Sequence, residues 1–285
     1  MLNFNGELLE GSVKFLDATN RGLQFGDAVF EELRVVNGSV YFLEDHYLRL
    51  MSSMRILRME IPMEFTMEFM EAEILKTVKV QSSMEANSIK FTIFRNSGGG
   101  YTPTTNTISF LITAENLDST FFTIEDADYE VELFKDFYKS AGMLSNLNTN
   151  NRILNVVGSI YAHENDYHDC LLLNESKMVV EALNGNIFLV KDSTIKTPPL
   201  TDGCLNGILR QKLINIILKL EGYNFLEESI SPFELQKADE LFILNSINGI
   251  VPITKYRKKS FSKATSKSLI GKLNAAARIT LSKTS

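Results

Sequence analysis

Cysteine is scarce in this sequence. Cys170 and Cys204 are the only two in 285 residues. They show no metal-ligand spacing and cannot build a disulfide framework, which fits a reducing, cytoplasmic setting. Histidine is almost as rare: His46, His163 and His168 are the three. His163 and His168 lie five apart, off the i, i+4 spacing that sets two ligands on one helix face, so no metal site is expected. No apolar run approaches the roughly 20 residues needed to cross a bilayer. The opening MLNFNGELLEG has no basic region followed by an apolar one, so neither a membrane span nor a secretory signal is expected. A net charge of −6 gives no reason to expect nucleic acid or an anionic membrane as partner. Internal repeats and low-complexity tracts are absent. What is present, 44% hydrophobic and 22% charged residues, suits one large or two medium domains with a sizeable core.

The first third reads as strands with helices. Asn5-Gly6 is a hairpin signal within Asn3–Val13, and Asn37-Gly38 is another, between strands carrying Leu33, Val35 and Val40. Gly22 and Gly26 punctuate an irregular loop before the first of these. Asp45–Leu57 is helical by its apolar steps, and Glu64–Val80 is a second amphipathic helix. Arg49, on the first helix, reads from periodicity as an ordinary solvated charge. Asn87–Phe94 is a strand with Lys90 amid apolar neighbours, either an edge-strand gatekeeper or a cation facing a cavity. The glycine run 98–100 must bend sharply or lie close to something, and Thr107–Thr113 is a further strand. Residues 1–116 thus form a small α+β domain, 117–127 a linker without period, and 128–285 a larger mixed α/β domain. In the latter, Tyr129–Phe134, Cys170–Leu173, Phe225–Ile230, Glu240–Leu244 and Ile250–Ile253 are extended. Arg152–Asn165 and Ser262–Leu281 are helical, the last with a basic exposed face. Ser231-Pro232-Phe233-Glu234 carries a helix-start signature.

The stretch 178–210, MVVEALNGNIFLVKDSTIKTPPLTDGCLNGILR, holds the most chemistry. Two short β-type runs, Met178–Glu181 and Asn186–Val190, flank an Asn184-Gly185 turn signal. A second turn follows at 191–193, and Thr197-Pro198-Pro199 stops regular pairing because proline lacks the donor. Gly203 and Gly207 bracket Asn206 before a strongly apolar helical run from Ile208 to Leu220. Glycine ahead of a helix lets backbone amides approach an anion, and the helix start adds partial positive charge. Most such glycine patterns are only turns. Here a buried-looking carboxylate, Glu181, lies in the same segment as the amides of Gly207, Ile208 and Leu209. A phosphorylated heteroaromatic with a protonatable ring nitrogen needs such a pair, and pyridoxal 5′-phosphate is one.

Two blocks carry a resemblance. RGLQFGDAVFEELRVVNGSVYFLEDHYLRL resembles the N-terminal block, and VVEALNGNIFLVKDSTIKTPPLTDGCLNGILRQ the C-terminal signature, of the class IV pyridoxal-phosphate enzymes. That family holds branched-chain and D-amino-acid aminotransferases and 4-amino-4-deoxychorismate lyases, and the likeness runs from about Asn3 to Thr254. It implies a D-amino-acid-aminotransferase-like two-domain fold, a homodimer with the cofactor between the domains, and an amino acid or 2-oxo acid as substrate. It also implies that Arg49 binds the cofactor phosphate, that Glu181 pairs with the ring nitrogen, and that Asn186 belongs to the signature after that glutamate. Gly207, Ile208 and Leu209 would give amides to the phosphate, with Ser246 where many members have a phosphate-binding threonine. Phe25, Phe30, Lys90 and Arg95 would line the substrate side. Lys90, Arg95 with its following glycines and NGILRQ lean toward the lyase, whereas Val29-Phe30-Glu31 leans toward the transaminases.

One departure stands out. The family's Schiff-base lysine lies just over thirty residues before the glutamate, at the start of a Lys-x-x-Asn-Arg-like run. Here that run is Asn148-Thr149-Asn150-Asn151-Arg152, and 181 − 148 = 33, so the lysine position holds Asn148. Lys139, nine residues upstream, is the alternative amine. An asparagine amide neither forms an imine nor acts as a base near pH 7. Three readings follow: an impaired aminotransferase, a lyase-like enzyme, or a non-catalytic binder of the cofactor.

Overall fold

The computed structural model describes residues 1–80 and 85–281. Two compact units divide the chain. One holds Met1–Thr120, Asn148–Asn151 and the stretch from Ala277; the other holds Phe121–Leu147 and Arg152–Ala276.

The first unit is built on strands β1 (Leu2–Phe4), β2 (Glu7–Leu9), β3 (Ala28–Val36), β4 (Ser39–Val40), β5 (Ala86–Arg95) and β6 (Ile108–Asn116), in the order β2-β1-β6-β5-β3-β4. Its helices are α1 (Arg21–Phe25), α2 (Leu43–Ile56) and α3 (Met67–Val78). Both tight turns form: Asn5, Gly6, Asn37 and Gly38 all take positive φ, the backbone that two-residue hairpins require. The loop expected around Gly22 and Gly26 is instead α1. The Asn20 side chain caps its first turn by accepting from the Leu23 amide, and Gly26 ends it at φ 64°.

Side chains alternate faces along a strand. Leu33 and Val35 of β3 and Ile89, Phe91 and Ile93 of β5 therefore meet Leu50 and Met54 of α2 and Met70 and Ile74 of α3 in one core. Phe30 and Lys90 take the opposite face. β5 lies between β3 and β6, so the edge-strand reading of Lys90 is wrong: an interior strand has no edge to guard.

The second unit contains two five-stranded sheets. One runs β16-β15-β7-β8-β9, built from β7 (Glu130–Lys139), β8 (Asp169–Asn174), β9 (Val179–Ala182), β15 (Lys255–Tyr256) and β16 (Lys259–Ser260). The other runs β12-β11-β10-β13-β14, from β10 (Asn186–Lys191), β11 (Thr194–Thr197), β12 (Asn224–Glu227), β13 (Glu240–Asn245) and β14 (Gly249–Ile253). Helices α4 (Ile153–Glu164), α5 (Ile208–Ile217), α6 (Pro232–Lys237) and α7 (Ala264–Leu281) complete the chain. Leu171 and Leu173 of β8 share a core with Ile187, Leu189, Leu241 and Ile243 of the other sheet, while Cys170 and Leu172 face Ala162 of α4. A strand covered on both faces is apolar throughout, which is why Cys170–Leu173 reads as an unbroken run.

The turn expected at Asn184-Gly185 forms one residue earlier, with Leu183 and Asn184 at its tip: Ala182 and Gly185 bridge antiparallel, the Ala182 amide donating to the Gly185 carbonyl at 2.8 Å. β9 pairs with β8 and β10 with β13, so the segment passes from one sheet to the other. Neither residue takes positive φ. The Asn184 amide donates to Asp169 Oδ2 at 3.1 Å, and a Cβ on Gly185 would stand 2.5 Å from the Leu244 carbonyl. Gly185 closes this turn and also meets a close approach between strands.

Candidate functional site

Glu181 lies on β9, opposite Leu172, and is 3% exposed. Its Oε2 accepts from the Leu205 amide at 2.7 Å, and the Lys139 ammonium donates to Oε1. The loop carrying Leu205 is fixed from several sides. Asn186, at the start of β10, donates to the Leu205 carbonyl at 2.8 Å. Asn146 donates to the Cys204 carbonyl at 2.6 Å, and Asn174 to the Asp202 carbonyl at 3.1 Å. Arg210, buried on α5, donates to the Pro198 carbonyl at 2.8 Å and to Glu227 at 2.9 Å.

Gly207 precedes α5 with no side-chain cap. A Cβ there would stand 2.2 Å from Oδ1 of Asn186, which is itself buried and bonded, so glycine is the residue that fits. The Gly207 amide donates to the Leu205 carbonyl at 2.9 Å. That leaves Ile208 and Leu209, both buried, as the helix-start amides to which no described group offers an acceptor. Ser246 lies in the turn after β13, where Oδ1 of Asn245 accepts from the amides of Ile247 and Asn248. The second unit thus joins a buried carboxylate and an uncapped helix start through one short, braced loop. This arrangement fits a ring bearing both a nitrogen and a phosphate, with the Lys139 amine already on the carboxylate.

Asp169, at the start of β8, explains how this corner is held. Its Oδ1 accepts from the Cys170 and Leu183 amides, and its Oδ2 from Asn184 and the Tyr129 hydroxyl. Burial outweighs these bonds and pushes the carboxyl up to about 6, and the same burial with the nearby acid raises the Tyr129 phenol. A group raised in the folded state binds its proton there first, so folding free energy falls as pH rises from the ordinary aspartate value of 3.8 to about 6. The loss by pH 7 is on the order of 3 kcal/mol. Denaturant unfolding of Asp169→Asn between pH 4 and 7 should show this slope removed; an unchanged slope would place it elsewhere.

The first unit holds the remaining expected residues. Arg49 is not the solvated charge its periodicity suggests. Its side chain is 11% exposed and grips Glu31, donating from Nε at 2.8 Å, while His46 Nδ1 lies 2.7 Å from the same carboxylate. Burial alone would raise Glu31, but the Arg49 charge and the bonds from His46 and Arg49 hold it below the usual carboxylate range. The Lys90 ammonium lies 4.4 Å from the Phe30 ring centroid, and the Phe25 ring packs at 5.5 Å against Tyr101. Arg95 is buried and donates to Asp27, Asn106 and the Leu57 and Arg58 carbonyls, so its donors organise the loop and the substrate role implied for it is not carried forward. Arg21, not singled out in the sequence, donates to Asp27 and to the Gly98 and Gly100 carbonyls. Asn148 is 8% exposed; its carbonyl accepts from the Phe30 amide at 2.8 Å, and the Asn150 amide returns to Ala28 at 3.0 Å.

Among the described residues no helix is long and apolar enough to cross a membrane, and no cluster of three or more His, Cys, Asp or Glu could hold a metal ion.

Comparison with known proteins gives the family. A protein of Methanocaldococcus jannaschii, provisionally named a branched-chain-amino-acid aminotransferase, is 30% identical over 260 residues, 87% of this chain and 85% of that one. The aminodeoxychorismate lyase of Vibrio harveyi is 25% identical over 238 residues, 82% and 85% of the two chains. The crystal structure of an aminotransferase from Brucella abortus, bound to the co-factor PLP, superposes with a TM-score of 0.81 at 20% identity, covering 96% of this chain and 98% of that one. Residues 28–256 match the family Amino-transferase class IV, and the chain belongs to that family.

Proposed function

We propose that this chain binds pyridoxal 5′-phosphate and that its reaction is amino-group transfer between an amino acid and a 2-oxo acid, slowed because position 148 is asparagine. The observation that carries the reading is the Leu205 amide on Glu181. It ties the carboxylate for the ring nitrogen to the loop that delivers the Ile208 and Leu209 amides to a phosphate. Asn186 holds that loop, and Ser246 and Arg49 are proposed for the phosphate because their sequence positions resemble the family's phosphate-binding ones. When bound, the cofactor supplies an electron sink for the substrate carbanion. The chain's own groups bind and orient it: Glu181 sets the ring-nitrogen end, and the helix start neutralises phosphate charge. Phe25, Phe30 and Lys90 are proposed to line the substrate side.

The test is titration of the purified chain with pyridoxal phosphate, followed by visible absorbance and equilibrium dialysis. Saturable one-to-one binding is expected, weakened at least about tenfold in Glu181→Ala, which removes the buried carboxylate that holds both Lys139 and the Leu205 loop at the ring-nitrogen end. Absence of binding sinks the proposal. Binding with no turnover on any amino acid and 2-oxo acid pair would leave a cofactor-binding homologue in its place.

A second reading, aminodeoxychorismate lyase chemistry, is favoured by Lys90. It stands on an interior strand over an aromatic ring, and the lyases resembled here carry a lysine at that position. Release of pyruvate from aminodeoxychorismate decides it.

The working form is proposed to be a cytoplasmic homodimer. Ile153, Val156 and Ile160, spaced three and four apart on α4, are 73%, 50% and 51% exposed, with Met143 and Leu144 also open. Such an apolar stripe on one helix face marks an interaction surface. Sedimentation should give a dimer that Ile160→Asp shifts to monomer; a monomeric wild type would refute the assignment.

A further inference from the structure

Lys139 ends β7 just past a register shift against β8 that falls between Phe134 and Lys139. The lysine side chain is 12% exposed, and its ammonium is placed on Glu181 Oε1 while the Leu205 amide takes Oε2. On the reading proposed above, which this inference requires, Glu181 is the group that meets the ring nitrogen. A protonated pyridine ring is a cation with one N–H to give, and it would bring a second positive charge to a carboxylate that already holds one. Like charges crowded in a buried place disfavour the charged form of the one that can lose its proton. An unprotonated ring nitrogen is different: it is an acceptor, and an ammonium has three donors, enough for Glu181 and the ring together.

We propose that Lys139 is the specificity-determining cation of this site: it neutralises Glu181 and selects a heteroaromatic ring whose nitrogen is unprotonated and accepts a hydrogen bond. Lys139 is thereby a positioning residue and not a tether. The ring nitrogen and the carbon bearing the aldehyde of pyridoxal phosphate lie at opposite ends of the ring, so an amine held at the first is held away from the second. The ring then withdraws electrons less strongly than a protonated one, a brake on carbanion chemistry separate from the asparagine at 148.

The measurement uses pyridoxal phosphate labelled with nitrogen-15 in the ring, bound to the wild-type chain, Lys139→Met and Lys139→Arg, and read by nitrogen magnetic resonance with a parallel affinity titration at pH 6. The wild type should show the resonance of an unprotonated, accepting nitrogen. Lys139→Met should show a protonated one and bind at least tenfold more tightly, and Lys139→Arg should behave as wild type. Lys139→Gln, which keeps a neutral donor to Glu181, supplies the same contrast if Lys139→Met does not fold. A protonated ring in the wild type, equal affinities, or borohydride trapping of the pyridoxyl group on Lys139 overturns this inference alone. No saturable binding by the wild type or by Lys139→Met overturns it together with the proposed function.

Discussion

Asn148→Lys is expected to raise amino-group transfer by about 10²–10⁴-fold, the contribution of one positioned acid–base group. The side chain changes on a backbone already committed. The residue 148 carbonyl accepts from Phe30, and the Asn150 amide returns to Ala28, so lysine enters a fixed site without a new loop. An amide is neutral and non-nucleophilic at pH 7, whereas a largely buried amine has its charged form disfavoured and its nucleophilic form enriched. Position 148 is 8% exposed, which favours that outcome. Turnover on a panel of amino acids and 2-oxo acids, with pyruvate release from aminodeoxychorismate alongside, is the measurement. Borohydride reduction should leave the pyridoxyl group on residue 148. A variant within threefold of wild type, with nothing trapped there, would show that the 33-residue separation from Glu181 does not mark the anchor position. Combining the change with Lys139→Met should exceed the single variant, because the two restraints act at opposite ends of the ring.

What the sequence made legible follows the range over which each feature is determined. Hairpins at Asn5-Gly6 and Asn37-Gly38 and the capping serine and glutamate before α6 are local, and local residues decide them. Asn184-Gly185 carries the same local signal, but its turn falls one residue earlier, at Leu183-Asn184, inside a crossing between two sheets where Asp169 and Leu244, distant in sequence, make the close contacts. Glu181 and Gly207 were visible because their motif lies in one short stretch. Lys139 as the partner of Glu181 was not. The alternating run YEVELF stops at Phe134, and the charged and aromatic residues after it hide a strand that continues to Lys139. The Arg49–Glu31 pair was likewise hidden, because helix periodicity places a residue on a face but does not say what charge waits on the sheet opposite.

That pair leads to the largest expected effect on stability. Glu31 shares a face of β3 with Val29, Leu33 and Val35, the face covered by α2, and it is 1% exposed. One carboxylate there balances Arg49 and fixes His46. Glu31→Gln keeps the shape and removes the charge from its bonds to Arg49 and His46, and breaking a buried ion pair costs about 3–5 kcal/mol. Because the folded carboxyl lies below its ordinary value, its contribution is present above the unfolded carboxylate range and is lost as pH falls through the folded value. The wild type should therefore weaken in acid by a component that Glu31→Gln lacks. Urea unfolding of both proteins from pH 7 down to pH 3 reads the two effects at once. The double replacement Glu31→Leu with Arg49→Met should recover most of the loss, since an apolar pair of similar volume needs no counter-charge. If Glu31→Gln unfolds within 1 kcal/mol of wild type at pH 7, the buried pair does not brace this face of the sheet.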